Sequence, residues 1–117
     1  MSVGVELQRL HEEVTRFGSS PYLLTVSDDG RPHATAVTIS WDGDALVAGV
    51  GRRSAANALA RPDVSLLWPP VDGEGFSLIV DGAAEVDGEK VTVRPDAAVL
   101  HRQRADGPGS DCVRLDS

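Results

Sequence analysis

The sequence predicts a mainly β protein, a small antiparallel barrel with a helix before it and a short helix after its third strand. Fifteen of the 117 residues are valine, which favours strands, and aromatic residues make up only 4%. Asp-Gly pairs, which suit tight turns, recur between short apolar runs, as at Asp29-Gly30, Asp42-Gly43 and Asp87-Gly88. Short strands with close turns favour a barrel or a sandwich, and their number alone does not distinguish the two.

Residues 3–17 show the pattern of an amphipathic helix. Apolar side chains recur at spacings of three and four residues, at Val3, Leu7, Leu10, Val14 and Phe17. Polar and charged residues lie between them, and Gly18 is a suitable residue to end the helix. The sequence therefore predicts one helix over this whole segment.

Four strands and one helix are predicted between residues 22 and 68. The first strand covers 22–27, and Pro32 opens the second, which covers 33–41. The third strand covers 45–51, and a short helix over 54–60 ends before Arg61-Pro62. The fourth strand covers 64–68 and stops at Pro69-Pro70. A glycine-rich loop over 71–75 follows.

The fifth strand, residues 76–86, contains Asp81-Gly82, which fits either a hairpin turn or a bulge within one long strand. The bulge is preferred because Asp87-Gly88 is the better-placed turn. The sixth strand starts over 90–93, and residues 104–111 are predicted as a loop. We expect a single domain over 1–117, with a core over about 5–101 and a C-terminal tail over 102–117.

Composition limits the classes of function. The net charge of −7 disfavours nonspecific nucleic-acid binding. Cys112 is the only cysteine, so no intrachain disulfide and no cysteine-based zinc site is expected. His11, His33 and His101 are far apart in sequence, and no metal site is predicted from them. The sequence shows no secretory signal and no apolar run of the ~20 residues that a membrane helix needs, which favours the cytoplasm.

The predicted second strand presents two different faces. Because side chains alternate along a strand, one face carries His33, Thr35, Val37, Ile39 and Trp41, and the other carries Ala34, Ala36, Thr38 and Ser40. The second face is small and partly polar, which lets a flat ring approach the backbone. The same small residues also suit packing under a helix or a dimer partner.

Two adjacent arginines, Arg52 and Arg53, precede the short helix. A helix start offers free N–H groups and a partial positive charge, and arginine adds a fork that binds two phosphate oxygens. Ser54 is a candidate helix cap and Asn57 lies one turn further on. The alternative is a capped helix with two solvated arginines that pair with nearby acids. No motif for a catalytic nucleophile or acid–base pair is present, so no catalytic residue is assigned.

The order of these elements, taken with several short motifs, resembles one known family. The motifs are Leu23-Leu24-Thr25-Val26, Asp29-Gly30-Arg31-Pro32-His33, Trp41-Asp42-Gly43-Asp44-Ala45-Leu46, Ser54 with Asn57, the stretch 61–66 and the stretch 80–86. They resemble, over about residues 5–101, the pyridoxamine 5′-phosphate oxidase-like family, also called flavin reductase or FMN-binding split barrels. Residues 98–101 are similar to the end of short actinobacterial-type members.

The resemblance implies a six-stranded antiparallel split β-barrel that forms a homodimer with two cofactor sites in the interface. It implies an oxidoreductase with FMN as cofactor, or alternatively the 8-hydroxy-5-deazaflavin coenzyme. The residues that it assigns to the flavin ring are Thr35, Ala36, Val37 and Thr38. Those that it assigns to the phosphate end are Arg52, Arg53, Ser54 and Asn57. Trp68, or the 69–75 loop of the partner subunit, is expected to close the site.

The chain departs from the family pattern in two places. Many members carry a lysine in a pattern like S-x-K-x-x-N, and this chain has Ser54 at that lysine position. The C-terminal tryptophan and arginine region of true pyridoxamine phosphate oxidases is also absent, so that exact activity is not expected. Two further hypotheses remain, a deazaflavin-dependent reductase and a non-catalytic dimeric binding protein. Haem-type ligands and a scaffold with no ligand are further alternatives.

Overall fold

The computed structural model describes residues 1–103, which form one antiparallel sheet with two α-helices and a short 3₁₀ helix. The predicted C-terminal tail from residue 104 onward, with Cys112, lies outside the described residues. The elements in chain order are β1 (Ser2–Val5), the 3₁₀ helix (Leu7–Arg9), α1 (Leu10–Phe17), β2 (Tyr22–Val26), β3 (Pro32–Ala36), β4 (Ile39–Asp42), β5 (Ala45–Gly49), α2 (Arg52–Ala60), β6 (Asp63–Trp68), β7 (Ser77–Asp87) and β8 (Lys90–His101).

The sheet is bent round so that its two outermost strands meet. The strand order is β3-β2-β6-β7-β8-β5-β4, and β1 pairs with β8 beside this path. The outermost strands β3 and β4 are joined by only two residues, Val37 and Thr38. At this corner the N–H of Val37 donates to the carbonyl of Pro21 (3.0 Å), and the N–H of Ile39 donates to the carbonyl of Ser19 (2.9 Å). The mainly β, antiparallel barrel architecture predicted from the sequence is confirmed.

The described residues contain eight strands rather than the six expected. The predicted second strand, residues 33–41, is broken at Val37-Thr38 into β3 and β4, which lie at opposite ends of the strand order. One segment of the chain therefore forms both edge strands of the sheet. No residue in this segment marks the break in the sequence. The other additional strand is β1, at the start of the chain.

The prediction of one helix over residues 3–17 is wrong for its first half. The α-helix covers Leu10–Phe17, and Ser2–Val5 pair antiparallel with residues 98–101 of β8. The N-terminal amine donates to the carbonyl of Arg102 at 2.8 Å, which holds this strand at its end. Leu10, Val14 and Phe17 are buried as the periodicity predicts. An available edge of β8 outweighs the weak helical pattern ahead of Leu10, where the valines suit a strand.

Strand β7 continues unbroken through Asp81-Gly82, so the bulge interpretation is confirmed. Its register against β8 shifts at this point, where Asp81 pairs with Ala97 and Gly82 pairs with Pro95. The extra residue, Asp96, lies on β8. A Cβ atom at Gly82 would lie 2.5 Å from the carbonyl oxygen of Arg94, so only glycine fits without a shift of the backbone. The hairpin turn falls at Asp87-Gly88, where Gly88 has a φ of 61°.

Candidate functional site

Strand β3 presents two faces, as its alternating sequence predicts. His33 and Thr35 are partly buried on the inner face, while Ala34 and Ala36 are exposed on the outer face. Beyond the strand, Val37 is buried and Thr38 is exposed. The four residues assigned to a flavin ring, Thr35 to Thr38, are therefore divided between the interior and the surface. In the described structure β3 pairs only with β2, which leaves one edge of its backbone open to a ligand.

A cleft of about 540 Å³ lies between the β2–β3 turn and the first turns of α2. We call it the α2 cleft. It is lined by Ser27, Asp28, Asp29, Arg31, Pro32, His33, Arg53 and Asn57. Of the two arginines predicted to bind phosphate, Arg53 lines this cleft and Arg52 does not, because successive side chains of a helix point about 100° apart. Arg31, which the sequence analysis did not assign to the site, lies in the same cleft.

Ser54 does not cap α2. The N-terminal cap is Gly51, and no side chain caps the helix. Ser54 is buried and faces β3, where its Oγ lies 3.1 Å from Oγ1 of Thr35. Thr35 in turn lies 3.4 Å from Nδ1 of His33. These three side chains fix the first turn of α2 against β3, so Ser54 supports the cleft and does not point into it.

Asn57 is 6% exposed, and its side-chain Nδ2 donates to Oγ1 of Thr25, a buried threonine of β2, at 3.2 Å. Thr25 is a second residue that the sequence analysis did not assign to the site. Within residues 1–103 no hydrogen bond reaches the Oδ1 of Asn57, although the residue lines the cleft. A buried amide oxygen without a donor costs free energy. Asn57 is therefore a candidate hydrogen-bond acceptor for a ligand in the cleft.

The charges of the α2 cleft are mixed. Asp28 accepts from Nη2 of Arg61 at 2.7 Å, and Oδ2 of Asp29 lies 3.5 Å from Nε of Arg31. The hydroxyl of Ser27 donates to Asp29, and the backbone N–H of Arg31 donates to it at 3.2 Å. These hydrogen bonds, the one from Ser27 first, lower the pKa of Asp29, so its carboxylate is ionised at neutral pH.

Trp68 does not belong to the cleft of its own chain. It is 1% exposed, lies in the hydrophobic core and donates its indole N–H to the carbonyl of Gly18 at 2.7 Å. The proline pair that follows Trp68 ends β6 but does not bring the ring to the surface. The interpretation of Trp68 as a core ring agrees with this burial, and the assignment of Trp68 to cofactor binding stays a prediction that no contact in its own chain supports.

Comparisons with known proteins place the chain among split barrels. No family model matches the sequence. An uncharacterized protein of Mycobacterium bovis, Mb0449c, is 37% identical over 133 aligned positions that cover 93% of each chain, and MT0457 of Mycobacterium tuberculosis matches equally well. An F420 reductase superposes with a TM-score of 0.59 and 22% identity, over 74% of this chain and 94% of the other.

A Listeria innocua protein provisionally named a pyridoxamine 5′-phosphate oxidase superposes with a TM-score of 0.64 and 18% identity, over 81% of this chain and 98% of that protein. An FAD-binding protein of Mesorhizobium loti superposes with a TM-score of 0.62 and 14% identity, over 86% of this chain and 96% of that protein. These likenesses define the class: the chain is a split-barrel protein with the pyridoxamine 5′-phosphate oxidase-like fold. It belongs to the same family as the two mycobacterial proteins. Within residues 1–103, the helices are too short and too polar to cross a membrane.

Proposed function

We propose that the protein binds a flavin-type cofactor, with FMN first, and acts as an oxidoreductase other than a true pyridoxamine phosphate oxidase. The observation that supports the proposal best is the α2 cleft. It brings Arg31 and Arg53, the N-terminus of α2 and the amide oxygen of Asn57, which accepts no hydrogen bond within residues 1–103, close to the open edge of β3. The fold supports it, because the structural neighbours include an F420 reductase and an FAD-binding protein.

The phosphate of the cofactor would bind at the mouth of the α2 cleft. Arg53 and Arg31 provide guanidinium groups that bind two phosphate oxygens at once, and the start of α2 adds backbone N–H groups and a partial positive charge. The Oδ1 of Asn57 can accept a hydrogen bond from a hydroxyl of the ribityl chain. Arg53, one position before Ser54, would therefore supply the positive charge that a lysine supplies in many members of the family.

The flavin ring would lie against β3. The open backbone edge of this strand offers N–H and C=O groups, and the small exposed side chains of Ala34, Ala36 and Thr38 leave room for a flat ring. When bound, the ring supplies the hydride or electron chemistry. The described residues would orient the ring and shield one of its faces, and none is assigned a catalytic role.

We further propose that the protein is a cytoplasmic homodimer with its cofactor sites in the interface. The outer face of β2 carries Tyr22 and Val26, which are 41% and 37% exposed. Tyr22 pairs with Ala36 and Val26 pairs with Pro32, so the exposed apolar surface continues onto β3. A second copy would cover this surface and the open side of the ring site. Light scattering coupled to size exclusion, which reads the mass directly, tests for a dimer.

The main experiment is a titration of the purified protein with FMN and, separately, with riboflavin, followed by flavin fluorescence. Saturable binding that prefers FMN supports the proposal, because riboflavin lacks the phosphate. Failure to bind either flavin refutes FMN as the cofactor. The deazaflavin coenzyme is then the alternative to be titrated in the same way.

The second candidate function is cofactor binding without turnover. The absence of the family's lysine at Ser54 favours it. Oxidation of NADPH or NADH by the FMN-loaded protein distinguishes the two. A bound flavin that no donor reduces supports the binding protein, and steady oxidation of a nicotinamide supports the enzyme.

A further inference from the structure

A second cavity, of about 500 Å³, lies at the end of β5 that is remote from α2. We call it the α1 pocket. Its lining comes from the 3₁₀ helix, α1, the β4–β5 hairpin and β8, and the residues that matter most are Leu7, Leu10, Trp41, Asp44, Arg94 and Pro95. It shares no lining residue with the α2 cleft. The function proposed above therefore makes no use of this pocket.

The pocket exists because β8 has no neighbouring strand at this point. On this side β8 pairs with β5 as far as Val93 and with β1 from Ala98 onward. Within residues 1–103 no strand covers this side of residues 94–97, where Pro95 has no N–H to donate. The 3₁₀ helix packs beside the gap without filling it.

Part of the lining is apolar and already in place. Leu10 is buried, whereas Leu7 is 46% exposed and gains from being covered by a ligand. The indole ring of Trp41 is stacked on the imidazole of His11, with ring centroids 3.6 Å apart and ring planes 17° apart. This stack ties α1 to β4, so the wall of the pocket does not have to form on binding.

The pocket also carries one carboxylate and one guanidinium group. Leu46 and Val93 form the last pair between β5 and β8, and Asp44 and Arg94 both lie just beyond it. Arg94 contacts Glu85 of β7 at 3.3 Å, but both side chains are more than 60% exposed, so this ion pair is weak. Among the ion pairs of residues 1–103, none uses Asp44. Two opposite charges are thus available to a ligand beside apolar surface.

We propose that the α1 pocket binds an amino acid with an apolar side chain, or a molecule of the same class that carries an ammonium group next to a carboxylate. The carboxylate would pair with Arg94 and the ammonium group with Asp44, while the apolar side chain would cover Leu7 and Leu10. A ligand with one charge alone leaves the other lining charge facing it without a partner. This inference is independent of the flavin site.

The test compares three probes that share a phenyl ring. They are L-phenylalanine, hydrocinnamate, which lacks the ammonium group, and phenethylamine, which lacks the carboxylate. Each is titrated into the whole protein by calorimetry at neutral pH and constant salt. We expect L-phenylalanine to bind about threefold to tenfold more tightly than either singly charged probe, because each exposed ion pair contributes modestly. This comparison uses the wild type and requires no variant to fold.

Two variants locate the charges. Arg94→Gln should weaken L-phenylalanine and hydrocinnamate by about threefold to tenfold and leave phenethylamine unchanged. Asp44→Asn should weaken L-phenylalanine and phenethylamine by a similar factor without weakening hydrocinnamate. Glu85→Gln releases Arg94 from its ion pair and should tighten L-phenylalanine binding. The matched control is Asp42→Asn, which removes the same charge from the same hairpin at a position that does not line the pocket.

Tryptophan emission reports where the probe binds, because Trp41 lines the pocket and Trp68 is buried in the core. Absence of L-phenylalanine binding would overturn the proposal. So would equal affinities for the three probes, which would indicate apolar contact without recognition of charge. An equal loss in Asp42→Asn and Asp44→Asn, or binding that leaves tryptophan emission unchanged, would also place the ligand outside this pocket and refute the assignment.

Discussion

Replacing Arg53 with alanine tests the assignment of the α2 cleft to a phosphate. Arg53 lines the cleft and Arg52, its neighbour in the same helix turn, does not. The two variants Arg53→Ala and Arg52→Ala remove the same charge from adjacent positions. Alanine is a good helix former, so neither change is expected to disturb α2. A difference between them therefore reports contact with the ligand rather than net charge or helix stability.

The magnitude follows from the interaction that is removed. Hydrogen bonds between a guanidinium group and a phosphate contribute roughly 1.5–3 kcal/mol. Arg53 is exposed, so the lower half of this range applies. Since about 1.4 kcal/mol corresponds to tenfold in affinity, Arg53→Ala should weaken FMN about tenfold to fortyfold. Arg52→Ala should change it less than about threefold, because its charge acts only through screened solvent.

The assay is a flavin fluorescence titration in a phosphate-free buffer at constant ionic strength, with FMN and riboflavin run on each variant. Riboflavin has no phosphate and should bind both variants like the wild type. Equal losses in Arg52→Ala and Arg53→Ala would show that only overall charge matters. Equal weakening of FMN and riboflavin binding by Arg53→Ala would refute the assignment of the phosphate to this cleft.

Three further predictions concern the fold around the site. Gly82→Ala should lower the free energy of unfolding by about 1–3 kcal/mol in a urea titration, because the new Cβ meets the Arg94 carbonyl. Gly73→Ala, where an added Cβ meets nothing, is the control, and equal midpoints would contradict the bulge geometry. Trp68→Phe should cost about 1–2 kcal/mol because the buried indole loses its hydrogen bond to the Gly18 carbonyl and part of its ring, and an unchanged midpoint would argue against that hydrogen bond. The lowered pKa of Asp29 means that its contribution to stability is present above the ordinary aspartate pKa of about 3.9 and is lost as pH falls through the lowered value. The difference in Tm between wild type and Asp29→Asn should therefore shrink below pH 4, and a difference that is constant with pH would refute this.

Local signals predicted much of the sheet. Turn residues and breakers placed β2, β6 and α2 within a few residues, because an Asp-Gly pair or a proline acts on the backbone beside it. The bulge at Asp81-Gly82 was predicted for the same reason, since the next Asp-Gly pair already supplied the turn. These elements depend on short-range stereochemistry that the sequence states directly.

The first strand and the break at Val37-Thr38 were missed because both depend on distant partners. The residues of β1 become a strand when β8 offers an edge some 95 positions away in sequence. The break between β3 and β4 is fixed by hydrogen bonds from Val37 and Ile39 to the carbonyls of Pro21 and Ser19. No glycine or proline near position 37 marks a corner, so the alternating pattern predicted one continuous strand through it.

The candidate site was predicted in part. Arg53 and Asn57 lie at the cleft as expected from their place at the start of a helix, whereas Ser54 and Thr35 lie behind it. The contributions of Arg31 and Asp29 were not predicted, although both belong to the hairpin turn that the sequence marked clearly.

The sequence by itself determined a mainly β domain with turns at its Asp-Gly pairs and a basic helix start after the third run of strand residues. These follow from backbone preferences and side-chain alternation, which act over a few residues. Only the tertiary structure decided that the β2–β3 turn faces α2, that Arg53 rather than Arg52 enters the cleft and that Asp29 shares it. These contacts depend on how the sheet curves and where α2 packs against it. The residues involved are far apart in sequence, so local sequence patterns do not predict which of them come together.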